Sequence, residues 1–391
     1  MKLLYLNNEL AVADGCNAHA LGMLNAMKRK IGESNIYTYP QPEDCSAKHD
    51  SKRVLSFKDN FAGLLQYVRY YRKSIKSYRL AKQLLKDMQE KGFCPTHIWV
   101  RSSVFETTAL YIAKATGAKL ICEMNTPFYY EWCVTRQLPL RDKVEKWEKN
   151  LLHAADHIYV VSEKLKEMYM QHYALTEEKF IVVPNGYDRE LYSDWKECYE
   201  TIRNEIRKLE NLEDKYVVTF IGSLKVWHGI DRFCEVARRM ETNSKVHFMV
   251  LGDGEMRSLI QEYISKHSNM TFAGKLDYQT MKKYIYASDL GVMPYTKIEN
   301  FYFSPLKMYD MIGGHLPFIG TNVGQISDVC ANQLDDRFVV KDNSTDALVL
   351  AIRNIVDDCA VYEDMQKLID EKVSEFTWDA RAQLLIEKIG L

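Results

Sequence analysis

No C-x-x-C pair occurs in this chain, although it carries nine cysteines. They are scattered, and no Cys/His cluster or H-E-x-x-H accompanies them, so the common zinc signatures are excluded. The cysteines read as reduced thiols of a cytosolic protein, since the opening "MKLLYLNN" has too short an apolar run for a secretory leader. No stretch reaches the ~18 apolar residues that a membrane-spanning helix needs. Charge of one sign is also missing. The 52 Lys and Arg residues nearly balance the 53 Asp and Glu, and a net charge of -1 argues against a nucleic-acid partner. There is no G-x-x-x-x-G-K-[ST] phosphate loop, and "GDGEMRSL" lacks the third glycine of a dinucleotide fingerprint. Low-complexity segments and short-period repeats are absent as well.

What remains is a regular alternation. Apolar strands are expected at 2–7, 97–103, 119–125, 155–162 and 179–186, then at 216–223, 245–254, 269–274, 289–295 and 316–322. Helical patterns fall between them, at 18–31, at 105–117 with Gly117 as C-cap, after Ser162 as N-cap, and at 230–240. Strands alternating with helices predict parallel sheets covered on both faces. A length of 391 residues suits two domains of about 100–200 residues each. The charge-rich stretch 189–215 fits a linker plus a helix. The fold class is therefore α/β, with two doubly wound domains facing each other across a cleft.

Ligands of such sheets sit beyond the carboxyl ends of the strands. "IGSLKVWHG" (221–229) leaves a strand through Gly222 and enters a helix after Gly229, with Lys225 and His228 as donors beside helix-terminal N–H groups. That is a candidate diphosphate pocket, and a plain strand–helix turn is the competing reading. "FYFSPLKMYDMIGG" (301–314) predicts a helix starting at Pro305 with Ser304 as N-cap. Leu306 and Lys307 would then turn N–H groups and one positive charge outward. Asp310, about one and a half turns in, is placed to hold a hydroxyl pair.

Seven segments together resemble a known family. They are "ICEMNTP", "VVPNGYD", "FIGSLKVWHGIDRF", "FMVLGDGEMRSL", "MTFAGKLDYQTMKKYIYASDLGVMPY", "YFSPLKMYDMIGGHLPFIGT" and "FTWDARAQLL". In this order and spacing the chain resembles the retaining, nucleotide-sugar-dependent glycosyltransferases of family four, with the GT-B fold. The resemblance implies an acceptor-binding Rossmann-like domain at 1–188 and a nucleotide-sugar-binding one at 189–375. A helix at 376–391 would pack back toward the first. The family's Glu-x7-Glu motif falls on Tyr302 and Asp310. Asp310 would hold the ribose, and Tyr302 departs from the usual sugar contact. Its basic pair falls on Ser223 and His228, with Lys225 as a source of the missing charge. Gly274, Lys275 and Leu276 would meet the base, and Gly222, Ser304, Leu306 and Lys307 the diphosphate. In the first half, Asp14, Gly15 and Cys16 would face the diphosphate or acceptor. Cys122 stands where some members place a histidine, which leaves Glu123 and Asn125 as catalytic candidates and Glu131 as a further contact.

The implied reaction is sugar transfer with retention, without a tightly bound cofactor or a metal. No Asp-x-Asp occurs. The donor would be a UDP- or GDP-sugar, and the acceptor a glycan or lipid-linked saccharide of cell-surface polysaccharide or glycoconjugate synthesis. A nucleotide-sugar epimerase and a non-catalytic nucleotide-sugar-binding subunit remain alternatives. Residues 66–92 carry eight Lys or Arg against two acids, with apolar residues at 68, 71, 75, 78, 81, 85 and 88. This basic amphipathic helix either covers the first sheet or lies on an anionic membrane, making the protein cytoplasmic and peripheral at the inner face.

Overall fold

The structure is a computed structural model that describes residues 1–7, 10, 15–40, 62–135 and 138–390. It divides into two compact units, Met1–Pro184 with Arg381–Leu391, and Asn185–Ala380.

The first unit holds a six-stranded sheet of β1 (Leu3–Asn7), β2 (Ile36–Tyr39), β3 (His97–Arg101), β4 (Lys119–Met124), β5 (His157–Val160) and β6 (Phe180–Val182). All neighbours are parallel, in the order β2-β1-β3-β4-β5-β6. Strands such as "LLYLN" and "HIWVR" are buried throughout, as strands covered on both faces must be. The chain reverses its strand order between β1 and β3, so the crevice of this sheet opens at Asn7 and Arg101, which are paired in register. Strand β2 was not anticipated from the sequence. "IYTY" is short and mostly half-buried, so its apolar signal is weak.

The 29-residue helix Ala62–Glu90 contains the expected basic segment, but its apolar stripe is split. Ser77, Ala81, Leu84 and Met88 are buried, and the helix packs against Thr108–Thr116. Tyr67, Val68, Tyr71, Ile75 and Tyr78 are instead exposed, Tyr71 by 58% and Ile75 by 54%. At 100° per residue, these five side chains fall within an arc of about 100°, centred about 120° around the helix from the buried face. Among the described residues no helix is long and apolar enough to cross a membrane.

The second unit repeats the architecture with β7 (Tyr216–Ile221), β8 (Val246–Leu251), β9 (Met270–Gly274), β10 (Leu290–Met293), β11 (Phe318–Thr321) and β12 (Val339–Val340). The order is β12-β11-β10-β7-β8-β9, again parallel. Here the order reverses between β7 and β10. The loops after these two strands therefore flank the crevice, and residues 222–229 and 294–305 become the place to look for a ligand. The charge-rich stretch after residue 188 includes the helix Trp195–Leu209. Its Arg203 and Arg207 clamp the carboxylate of Asp289, just before β10.

Candidate functional site

Glycine builds the rim of the second sheet. Gly222 (φ 126°) and Gly252 (φ 142°) follow β7 and β8 in backbone conformations that favour glycine, and a Cβ on Gly252 would sit 1.9 Å from the Gly222 carbonyl oxygen. The Gly222 N–H donates to Leu251, and the Gly252 N–H to Gly274. These bonds carry the sheet one residue past the strands. After β7 the chain makes a short 3-10 turn, Val226–His228, and enters the helix Ile230–Arg239. A Cβ on Gly229 would meet the Pro294 carbonyl oxygen at 1.8 Å, so the two crevice loops are pressed together. Arg232 reinforces this, its Nη1 donating to the carbonyls of Pro294 (3.2 Å) and Tyr295 (2.8 Å). Aromatic rings close the joint. Trp227 stacks on Phe303 at 4.9 Å, and His228 meets Tyr295 edge-on at 5.2 Å.

The helix after β10 runs from Leu306 to Gly313, with Pro305 at its cap position. Ser304 does not cap it. Its hydroxyl accepts from the Asn185 N–H at 3.0 Å, and its carbonyl accepts from Asn185 Nδ2 at 2.6 Å. The expected capping role thus gives way to a contact 119 residues away in sequence. The first-turn N–H groups of Leu306 and Lys307 lack intrahelical acceptors, as in every helix.

Lys307 is the unusual residue. Its side chain is 8% exposed, and its Nζ has no hydrogen-bond partner among the described residues. The ammonium lies over the rings of Phe220 (4.6 Å) and Tyr295 (5.0 Å), and a Cβ on Gly222 would touch Nζ at 2.7 Å. Burial pulls its pKa down to about 7. Lys225, by contrast, is exposed, with its Nζ 5.7 Å from the Trp227 ring. Ser223 is exposed too.

His228 is buried. Its Nδ1 lies 2.5 Å from the Ser223 carbonyl oxygen and 3.3 Å from the Ser223 hydroxyl. Burial, then the charge of Lys307, outweigh the carbonyl bond and, with Lys225, pull its pKa down to about 3. That shift favours the neutral ring, and the Ser223 carbonyl, which only accepts, takes an N–H from Nδ1, so any contact of this ring with a phosphate would have to come from Nε2.

Asp310 is partly buried, and its Oδ1 accepts from the Tyr192 hydroxyl at 3.3 Å. Burial pushes its carboxyl up to about 7, against the pull of that hydroxyl. Tyr302 is 1% exposed, its ring against Phe303 at 4.2 Å. Gly274 has φ 74° and open space around its Cβ position, with Lys275 exposed and Leu276 partly buried beside it.

The first unit carries a polar cluster at its own crevice. Arg101 and Glu123 are register partners on β3 and β4, and Arg101 Nη1 donates to Glu123 at 3.0 Å. Glu123 also accepts from Trp99 Nε1 (2.9 Å) and Asn125 Nδ2 (2.7 Å), and His19 Nε2 lies 3.0 Å away. Burial opposes its ionisation, but Arg101, His19 and Asn125 outweigh it and hold the carboxyl down to about 2. Three hydrogen-bond donors and the nearby His19 on a 1%-exposed carboxylate make Glu123 an organiser of its neighbours. Asn125 is partly buried, and its Oδ1 has no partner among the described residues. The Cys122 thiol is buried and pushed up to about 12, so it is inert. Gly15 opens the helix Gly15–Ile31, and Asp14 lies outside the described residues. Sequence reading missed Asn185, His19 and Arg101. Each acts through partners distant in sequence, so no local pattern marks them.

Two family models match the chain. The one described as "Glycosyl transferases group 1" covers residues 215–358, and "Glycosyltransferase Family 4" covers residues 13–191. Comparison with curated proteins finds none that matches. Among solved structures, the Anabaena protein Alr3699/HepE in complex with UDP is similar at a TM-score of 0.66 and 13% identity, over 100% of this chain and 99% of that one. Sucrose-phosphate synthase from Thermosynechococcus elongatus is similar at 0.65 and 16%, over 98% and 97%. WaaG, a glycosyltransferase involved in lipopolysaccharide biosynthesis, is similar at 0.61 and 12%, over 99% of each chain. The two parallel six-stranded sheets are those of the GT-B fold. With the two domain matches, they make this chain a GT-B glycosyltransferase.

Proposed function

We propose that the protein transfers a sugar, with retention of anomeric configuration, from a UDP- or GDP-sugar to a glycan or lipid-linked acceptor. The observation that carries this reading is Lys307, a buried ammonium without a hydrogen-bond partner among the described residues, beside Gly222 and the start of its own helix. A buried cation without a counter-ion is unfavourable, and a diphosphate would supply one. The N–H groups of Leu306 and Lys307 would add donors, and the glycine rim would let phosphate oxygens approach the backbone. Asp310 would accept from the ribose hydroxyls. The base would lie toward Gly274, Lys275 and Leu276, on the β9 side. The UDP held by the Anabaena protein is consistent with such a donor.

In this reading the acceptor hydroxyl attacks from the face that the diphosphate leaves, and a departing phosphate oxygen takes its proton. Catalysis is then placement and charge stabilisation, with Lys307 in the role that a metal ion fills elsewhere. The acceptor end belongs to the first unit, where Glu123 fixes the Asn125 amide. The exposed aromatic stripe of the helix Ala62–Glu90 is flanked by Arg72, Lys76, Arg79 and Lys82, which suits an anionic membrane surface and a lipid-linked acceptor.

Titration calorimetry with UDP, GDP and ADP tests the donor site. One of the three is expected to bind wild type, and Lys307→Met is expected to weaken it by about 2–3 kcal/mol, the value of a charge-assisted hydrogen bond. Unchanged affinity in the variant would remove Lys307 from the site. Incubation with donor alone separates transferase from epimerase, since only an epimerase converts it.

A further inference from the structure

His228 stands where the resembling family carries a base that faces phosphate, yet its surroundings give it the opposite hydrogen-bonding sense. Nδ1 lies 2.5 Å from the Ser223 carbonyl oxygen, and a carbonyl only accepts, so the ring's proton sits on Nδ1. Nε2 then carries a lone pair and has no partner among the described residues. The ring cannot turn over easily. It is pinned edge-on by Trp227 (4.0 Å, 72°) and Tyr295 (5.2 Å, 79°), and the next residue, Gly229, is pressed on Pro294. Protonating Nε2 would place a third positive charge beside Lys307 and Lys225, the two cations that act on this ring. A bare nitrogen repels a phosphate oxygen and attracts a hydroxyl.

Which hydroxyl follows from position. His228 is packed against the loop after β10, through Tyr295 and, by way of Trp227, Phe303. The loops after β8 and β9 extend the opposite half of the sheet. A diphosphate over Gly222 and Lys307, with its nucleoside toward β9, would turn its sugar toward β10. Building on the donor site proposed above, we propose that His228 Nε2 accepts a hydrogen bond from a hydroxyl of the donor's transferable sugar, and so helps select that sugar, while Lys307 and the N–H groups at its helix start answer the phosphate charge.

The test uses the full chain and two readouts. Nitrogen-15 NMR of histidine-labelled protein at pH 7 is expected to show His228 with Nδ1 protonated and Nε2 bare, and a protonated Nε2 would overturn the proposal. Calorimetry then compares UDP with UDP-glucose, and GDP with GDP-mannose, for wild type, His228→Ala and His228→Asn. For the pair that binds wild type, His228→Ala is expected to leave the diphosphate within about twofold, and to weaken the sugar-bearing ligand by about five- to tenfold. His228→Asn, whose amide oxygen also accepts, is expected to recover most of that loss. Equal weakening of both ligands would mean a phosphate contact and refute the assignment. If wild type bound neither nucleotide, the donor-site reading would fall, and the NMR result would still decide the tautomer.

Discussion

Lys307 gives the most quantitative prediction. A lysine brought from 10.5 to about 7 by burial is half neutral at pH 7 and about nine-tenths neutral at pH 8. If a nucleoside diphosphate settles beside it, the charged form is favoured and the site takes up a proton. Uptake is expected to be about 0.9 proton per nucleotide at pH 8, falling below pH 7 where the lysine is already charged. Affinity is expected to drop about tenfold per pH unit above 7, for the same reason. Asp310 complicates the picture only near neutrality. It is held at about 7, and a ribose that favours its ionised form would release a proton there, but at pH 8 it is already ionised. Calorimetry at pH 8 in buffers of different ionisation enthalpy reads the proton count directly. Equal binding enthalpies in all buffers would refute the reasoning, as would persistent uptake in Lys307→Met. The same shift bears on stability. The folded pKa lies below the unfolded one, so the unfolded state binds more protons between pH 7 and 10.5, and folding is favoured as pH rises through that window. At pH 7 the unliganded protein forgoes on the order of 4 kcal/mol at this residue. Lys307→Met is therefore expected to melt at higher temperature than wild type without ligand, while losing the stabilisation that nucleotide gives.

Glu123→Gln is expected to lower stability by about 2–4 kcal/mol at neutral pH in urea unfolding, because Arg101 loses its buried counter-charge. The carboxyl sits at about 2 in the folded state against 4.5 in its ordinary state, so its contribution is complete above pH 4.5 and fades as pH falls toward 2. In that acid range the difference between variant and wild type is expected to narrow. Tyr71→Glu combined with Ile75→Glu is expected to leave the melting temperature nearly unchanged, since both side chains are exposed, and to abolish flotation with phosphatidylserine-containing vesicles. Wild-type protein that ignores such vesicles would remove the membrane contact.

Much of the fold was legible because buried parallel strands leave long apolar runs, as "YVVTFI" and "VHFMVL" do. Strand β12 escaped because two residues, Val339–Val340, carry no periodicity. The basic helix was readable as amphipathic, but not as two faces. Apolar residues at 68, 71, 75 and 78 and at 81, 85 and 88 form one pattern on paper, and only packing separates Ile75 from Ala81. At the site, Lys307 and Asp310 could be picked out from a Pro-capped helix start beside two glycines. That Lys307 has no hydrogen-bond partner among the described residues, that Ser304 turns to Asn185, and that the Ser223 carbonyl faces His228 Nδ1 are facts of three-dimensional neighbourhood.

The glycine rim has a consequence for engineering. With 1.8 Å between a Gly229 Cβ and Pro294, and 1.9 Å between a Gly252 Cβ and Gly222, neither position tolerates diversification. A mutant library meant to retune ligand choice gains nothing by varying those codons. Its productive positions are side chains standing around them, such as the exposed Ser223 and Lys225 on the same loop.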